Sequence, residues 1–184
     1  DNFVSLGLDG DRACALDSEG EAWCWGRAVG GELSPYPAGL YNTPVQPIPG
    51  YKFSQVKLNG YTNCGIALGG VALCWGNNRG LGYGHTPQDT PVPISPRVDG
   101  PFAQLAADFD AFYGRTRSGG LAVWGYSLLG NFGVPIEVPL PVRAIDVAAG
   151  EYGYCIIAET GALYCERNTY PKSGLAAFPA TPIP

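Results

Sequence analysis

Histidine, methionine and charge are all scarce in this chain. Its 184 residues include one histidine, no methionine, and 11 basic against 16 acidic side chains, a net charge of −5. The single histidine, His85, sits in GHTPQDT and reads as a solvent-facing loop residue. A Ser-His-Asp, Cys-His or two-histidine metal site would therefore lack parts unless a partner supplied them. Sparse, net negative charge sets nucleic acid and anionic membranes aside as partners. No apolar run reaches membrane-spanning length, so no membrane insertion is expected. No Asn-x-Ser/Thr sequon occurs, and N-glycosylation is not expected. A chain that opens at Asp1 without methionine is expected from a cleaved signal peptide or a trimmed precursor. Twenty-seven glycines and 17 prolines argue against long helices; no helical periodicity stands out, and the only helix-like stretch is a short turn near Leu128 to Phe132.

Cysteine is infrequent too, at six, but its placement is the most informative pattern present. Cys14 and Cys24, Cys64 and Cys74, and Cys155 and Cys165 share one separation, and each pair brackets a turn in similar text: ACALDSEGEAWCWG, NCGIALGGVALCWG and YCIIAETGALYCER. A further copy, YGRTRSGGLAVWG, carries Tyr113 and Val123 in the cysteine positions. Pairing Cys14 with Cys24 across an antiparallel hairpin sets Leu16 opposite Ala22 and leaves Ser18-Glu19-Gly20 as a three-residue loop. The same register ends all four loops on glycine (Gly20, Gly70, Gly119 and Gly161), where a left-handed conformation is needed. The cysteines then fall on a non-hydrogen-bonded pair, whose Cα separation of about 4.5 Å a disulfide tolerates. Zinc would call for CxxC-type spacing and histidine ligands, which are missing. Three local disulfides are expected, each worth roughly 2–3 kcal/mol, in an oxidising compartment.

The copies begin at Phe3, Phe53, Phe102 and Ile145, and periods of this size point to propellers or solenoids. Each copy runs from a first strand (FVSLGL, FSQVKL, FAQLAA, IDVAAG) through the hairpin and a glycine-rich loop to a proline-rich extended segment. Four short strands per unit is the composition of a propeller blade. The expected fold is all-β, a propeller-like array of four four-stranded antiparallel blades with disulfides inside the blades, spanning roughly 3–52, 53–101, 102–144 and 145–184 as a single domain. The second hairpin strand is apolar on both faces, with Ala22 and Cys24 on one and Trp23 and Trp25 on the other. Such a strand must be covered on both sides, which places the tryptophans between stacked blades. Prolines recur at every second residue (Pro47 and Pro49, Pro91 and Pro93, Pro139 and Pro141, Pro182 and Pro184), as they would along the free edge of an outermost strand or in a polyproline II connector.

The run CALDSEGEAWCWG, followed by CWGNNRGLGYG and TPVPI, resembles the repeat of the regulator of chromosome condensation family, in the cysteine-bearing form of its secreted and cell-surface members. The resemblance covers nearly the whole chain. The third copy keeps Trp124-Gly125 without cysteines, and the fourth has Glu166-Arg167 where Trp-Gly is expected. Propellers of that family usually carry seven blades, so four repeats imply part of a longer protein, a compact ring, or an open arc completed by a neighbour. The disulfides and the negative charge argue against the chromatin role of the founding member.

No catalytic constellation is visible. The stretch GNNRGLGYG lacks a P-loop lysine, and Ser127 in GYSLLG lacks the second glycine of a nucleophile elbow. The acidic pairs Asp9/Asp11 and Asp108/Asp110 read as turn formers rather than a cation site. Neither a cofactor nor a metal is expected. Aromatics in the connections, notably Tyr61, Phe109, Phe112, Tyr126 and Tyr152, are candidates for a binding surface on one propeller face. The expected function is that of a non-catalytic, secreted structural or interaction module, a subunit of an extracellular wall, sheath, appendage or filament that acts through protein or glycan contacts. The alternative is a recognition module that binds a partner through those loop aromatics. Thr-Pro and Ser-Pro clusters resemble O-glycosylated segments of plant and algal wall proteins, which points the same way.

Overall fold

The structure, a computed structural model, describes residues 2–33, 35–60, 62–76, 88–94, 101–109, 111–127, 130–150 and 153–167; side chains are described at these positions other than 88–94, 126–134 and 167. The regular elements among them are all strands. The first sheet is β1 (Phe3–Asp9), β2 (Arg12–Asp17), β3 (Ala22–Ala28) and β4 (Gly39–Val45), and the second is β5 (Phe53–Asn59), β6 (Thr62–Ala67), β7 (Ala72–Gly76) and β8 (Gln88–Ile94). The third is β9 (Phe102–Ala107), β10 (Ala111–Thr116), β11 (Leu121–Ser127) and β12 (Gly130–Val138), and the fourth shows β13 (Ala144–Gly150), β14 (Gly153–Ala158) and β15 (Leu163–Arg167). Each sheet is an antiparallel meander in chain order. The fourth strand expected from ATPIP lies outside the described residues, as do Pro182, Pro184, His85 and the loop after Gly76.

Hairpin chemistry sets the register of every sheet. Asp17 N donates to Glu21 O at 3.1 Å and Gly20 N to Asp17 O at 3.0 Å, which closes Ser18-Glu19-Gly20 as a three-residue loop; the same two bonds recur in the other three sheets. The loop glycines have φ of +84°, +89°, +89° and +82° at Gly20, Gly70, Gly119 and Gly161. Such values are costly for any residue with a Cβ. Counting outward brings Cys14 opposite Cys24, Cys64 opposite Cys74 and Cys155 opposite Cys165. All three pairs are disulfide-bonded with Cα separations of 4.0, 4.1 and 4.0 Å, each joining neighbouring strands of one sheet.

Three details depart from the sequence reading. The residue of the fourth sheet that matches Phe53 and Phe102 is Ala144, opposite Ala158, rather than Ile145. A one-residue slip reverses the face of every side chain, so Ile145 is left 54 % exposed. Instead of a helical turn near Leu128 to Phe132, β11 and β12 pair down to Ser127 opposite Gly130; Leu128 and Leu129 lie outside the described residues. Pro91 and Pro93 do fall within an outermost strand, β8, whereas Pro47, Pro49, Pro139 and Pro141 follow β4 and β12 and belong to the connectors.

The sheets stack through one repeated contact. The cysteine face of the first (Cys14, Leu16, Ala22, Cys24) packs on Phe53, Val56, Leu58 and Trp75 of the second. Cys64, Ile66, Ala72 and Cys74 of the second pack in turn on Phe102, Leu105, Phe112 and Trp124 of the third. Tyr113, Leu121 and Val123 of the third pack on Val147, Tyr154, Ile156 and Tyr164 of the fourth. The first strands are the innermost, and β1 packs on β5, β5 on β9 and β9 on β13. They line a cavity of about 330 Å³ whose walls include Leu6, Lys57, Gln104 and Val147. The described residues form an arc of blades rather than a closed ring.

Candidate interaction surfaces

An arc has two ends, and among the described residues both present exposed apolar side chains that no further sheet covers. On the first sheet the tryptophan face carries Phe3, Leu6 and Leu8 at 45 %, 56 % and 69 % exposure, whereas their counterparts Phe53, Val56 and Leu58 are buried. Trp23 and Trp25 lie on this face and are half-buried. Only Trp75 and Trp124 are fully enclosed between sheets, so the expectation of four core tryptophans holds for the two whose sheets have a preceding neighbour. Trp23 is held by its indole N–H, which donates to Asp17 Oδ2 at 2.9 Å. That bond, with backbone bonds from Glu21 and Glu19, holds the Asp17 carboxyl below its ordinary pKa.

The fourth sheet ends the arc with the opposite kind of face. Ile157 and Leu163 are 36 % and 40 % exposed, whereas the matching Leu16, Ile66, Ala22 and Ala72 are buried. Cys155 and Cys165 are half-buried here, although the other two disulfides are enclosed.

The loop aromatics do not assemble as expected. Phe109 is 58 % exposed and borders a cleft of about 390 Å³ with Asp9, Asp11, Arg27 and Val29. Phe112 is fully buried and stacks on Trp124 at 5.9 Å. It belongs to the core because it alternates with Ala111 and Tyr113 along β10, which is covered on both faces. Tyr61 and Tyr152 lie outside the described residues, as does the side chain of Tyr126. Of the acidic pairs, Asp108 acts as a turn former, its Oδ1 accepting from Ala111 N at 2.7 Å and its Oδ2 from the Tyr113 hydroxyl at 2.9 Å, whereas Asp9 pairs with Arg12 and Asp110 lies outside the described residues.

Sequence reasoning missed a buried polar cluster between the first two sheets. Arg12 donates to Asn59 O at 2.6 Å and Asn63 Oδ1 at 3.3 Å and pairs with Asp9 at 3.5 Å. Asn63 Nδ2 donates to Glu32 O at 2.8 Å, and Glu32 Oε2 accepts from Val29 N and Gly30 N. Burial lowers the Arg12 pKa against the pull of Glu32 and Asp9. The available signal was a lone arginine at the start of a buried strand, whose charge needs partners. Tyr113 was visible only as a missing cysteine. It fills that place by packing on Tyr154, ring centroids 4.6 Å apart.

No protein-family model matches the chain, and no curated protein matches it in sequence. Solved structures do match in fold. Human WBSCR16 is 18 % identical with a TM-score of 0.77, covering 90 % of this chain and 47 % of its own. Yeast RCC1 (Prp20), solved bound to Kap60, is 21 % identical with a TM-score of 0.69, covering 89 % of this chain and 43 % of its own. The CRINKLY WD40 ectodomain of the Arabidopsis thaliana receptor kinase ACR4 is 22 % identical with a TM-score of 0.60, covering 95 % and 53 %. The chain shares the β-propeller fold of these proteins, RCC1 among them, and spans about half their length.

Proposed function

We propose that this chain is a non-catalytic, extracellular interaction module that serves as a structural subunit, with protein neighbours covering its two end faces. The observation that carries this reading is the pair of apolar sheet faces that no sheet among the described residues covers at the ends of the arc. Uncovered patches of this kind mark sites of protein association. Three disulfides support an oxidising, extracellular setting, and a receptor-kinase ectodomain shares the fold. Light scattering and electron microscopy on gently extracted native material provide the test. Particles several times heavier than the denatured, reduced polypeptide from the same material are expected; a native monomer would overturn the subunit reading.

Phe109 and its cleft favour a second reading, a recognition module with a ligand on the loop face. Under it, Phe109→Ala abolishes capture of the partner and leaves particle mass unchanged.

A further inference from the structure

Resting on the subunit reading, we infer that the neighbour on each end face is a second copy of this chain, seated head to tail. The cysteine face of the fourth sheet then covers the tryptophan face of the next copy's first sheet. The chain already makes the equivalent sheet-on-sheet contact three times internally, twice between a cysteine face and a tryptophan face and once with Tyr113 and Val123 in the cysteine places and Tyr154, Ile156 and Tyr164 receiving them. Each junction is pinned by one backbone bond from the start of the incoming strand to the loop glycine of the sheet before it. Phe53 N donates to Gly20 O at 2.8 Å, Phe102 N to Gly70 O at 2.8 Å and Ala144 N to Gly119 O at 2.9 Å.

Those loop glycines are also crowded by the incoming sheet. A Cβ at Gly20 would lie 2.8 Å from Phe53 O, one at Gly70 2.4 Å from Pro101 Cβ, and one at Gly119 3.0 Å from Arg143 Cβ. At Gly161 a Cβ would meet nothing within 4 Å. Gly161 is the fourth seat, with the same loop and a φ of +82° but no incoming strand among the described residues. Its occupant must offer a backbone amide at the head of an inner strand, followed by an apolar face. This chain presents that arrangement at Phe3, with Leu6, Leu8, Trp23 and Trp25 behind it, and no other sheet among the described residues packs on that face. Because the two faces differ, the contact is heterologous: copies close into a ring if the rotation per blade permits and otherwise continue as a filament.

The test uses the whole chain with one face blocked at a time. Leu6→Glu alters the tryptophan face and Leu163→Glu the cysteine face, both at positions exposed enough for the isolated fold to accept them. Gly161→Asn is a third variant, since asparagine tolerates the left-handed loop position while its side chain obstructs the seat. Sedimentation velocity should show concentration-dependent association of the unaltered chain. Each variant should weaken it at least about tenfold, because a carboxylate or a branched side chain is forced into a dry contact. An equimolar mixture of Leu6→Glu and Leu163→Glu should form dimers that grow no further, since each variant keeps one intact face of opposite kind. An unaltered chain that stays monomeric, or a mixture that does not pair, overturns the inference. If the native material is nonetheless large, the subunit reading stands and the faces are covered by a different protein.

Discussion

The ring of Phe53 lies so close over Gly65 that a Cβ added at Gly65 would fall 2.4 Å from Phe53 Cδ1. Phe102 and Gly114 repeat the relationship, again with 2.4 Å to the ring. The first sheet has Ala15 in place of that glycine, and its Phe3 is exposed; the fourth has Ile156 there and Ala144 in place of the phenylalanine. Phenylalanine is tucked inward only where a glycine leaves it room. Gly65→Ala is expected to cost about 1–3 kcal/mol, the usual range for overpacking, in urea unfolding. In a Phe53→Ala background the same substitution should cost little, and a double-mutant cycle measures the difference.

Arg12 is the charged centre of the first junction, bonded to two residues of the second sheet. Arg12→Ala removes one partner and leaves the Asn59 carbonyl and Asn63 amide oxygen without their donor. A loss of roughly 3–5 kcal/mol is expected, as for other broken buried ion pairs. Arg143→Ala, whose pairing with Glu159 at 3.9 Å is exposed, should cost under about 1 kcal/mol.

Tyr113 and Tyr154 both have pKa values raised chiefly by burial, and Tyr113 is pushed further by Asp108. The fold favours the neutral phenols. Their contribution is therefore intact below the unfolded-state value of about 10 and is lost progressively as pH rises above it. Urea midpoints measured from pH 8 to 11 should fall across the upper half of that range, and Tyr113→Phe should flatten the decline. A Tyr113→Phe chain that declines as steeply as the unaltered one would show that other groups set this dependence.

The three disulfides differ in cover, and reduction should follow it. Cys14–Cys24 and Cys64–Cys74 are enclosed, whereas Cys155–Cys165 is half-buried. Mild dithiothreitol treatment followed by alkylation and peptide mapping should label Cys155 and Cys165 first. Equal labelling of all six would show that access to this pair is blocked.

The hairpins were the most readable part of the chain. Cysteine spacing and the loop glycines both depend on a few local residues, and both fixed one register. The first strand of the fourth sheet was misread by one residue because Ile145 resembles the phenylalanines that open the other copies, and alternation places it outward. Phe112 looked like a loop aromatic because it follows Asp108 and Asp110, but strand β10 begins at Ala111. The Arg12 cluster depends on residues up to 51 positions apart, and no local pattern announces it. Least visible was which tryptophans are enclosed. Trp25 and Trp75 sit in nearly identical text, and only the presence of a preceding sheet separates them.

Every junction in the arc sets the equivalent face of one sheet on the opposite face of the next in chain order, with Tyr113 and Val123 standing in the cysteine places at the third junction, so the molecule has a front and a back. A twofold-symmetric pair would set like against like and leave the Gly161 loop without a strand to receive. Any array built through these ends is polar: its two tips are chemically distinct, so a single blocking residue acts at one tip and spares the other.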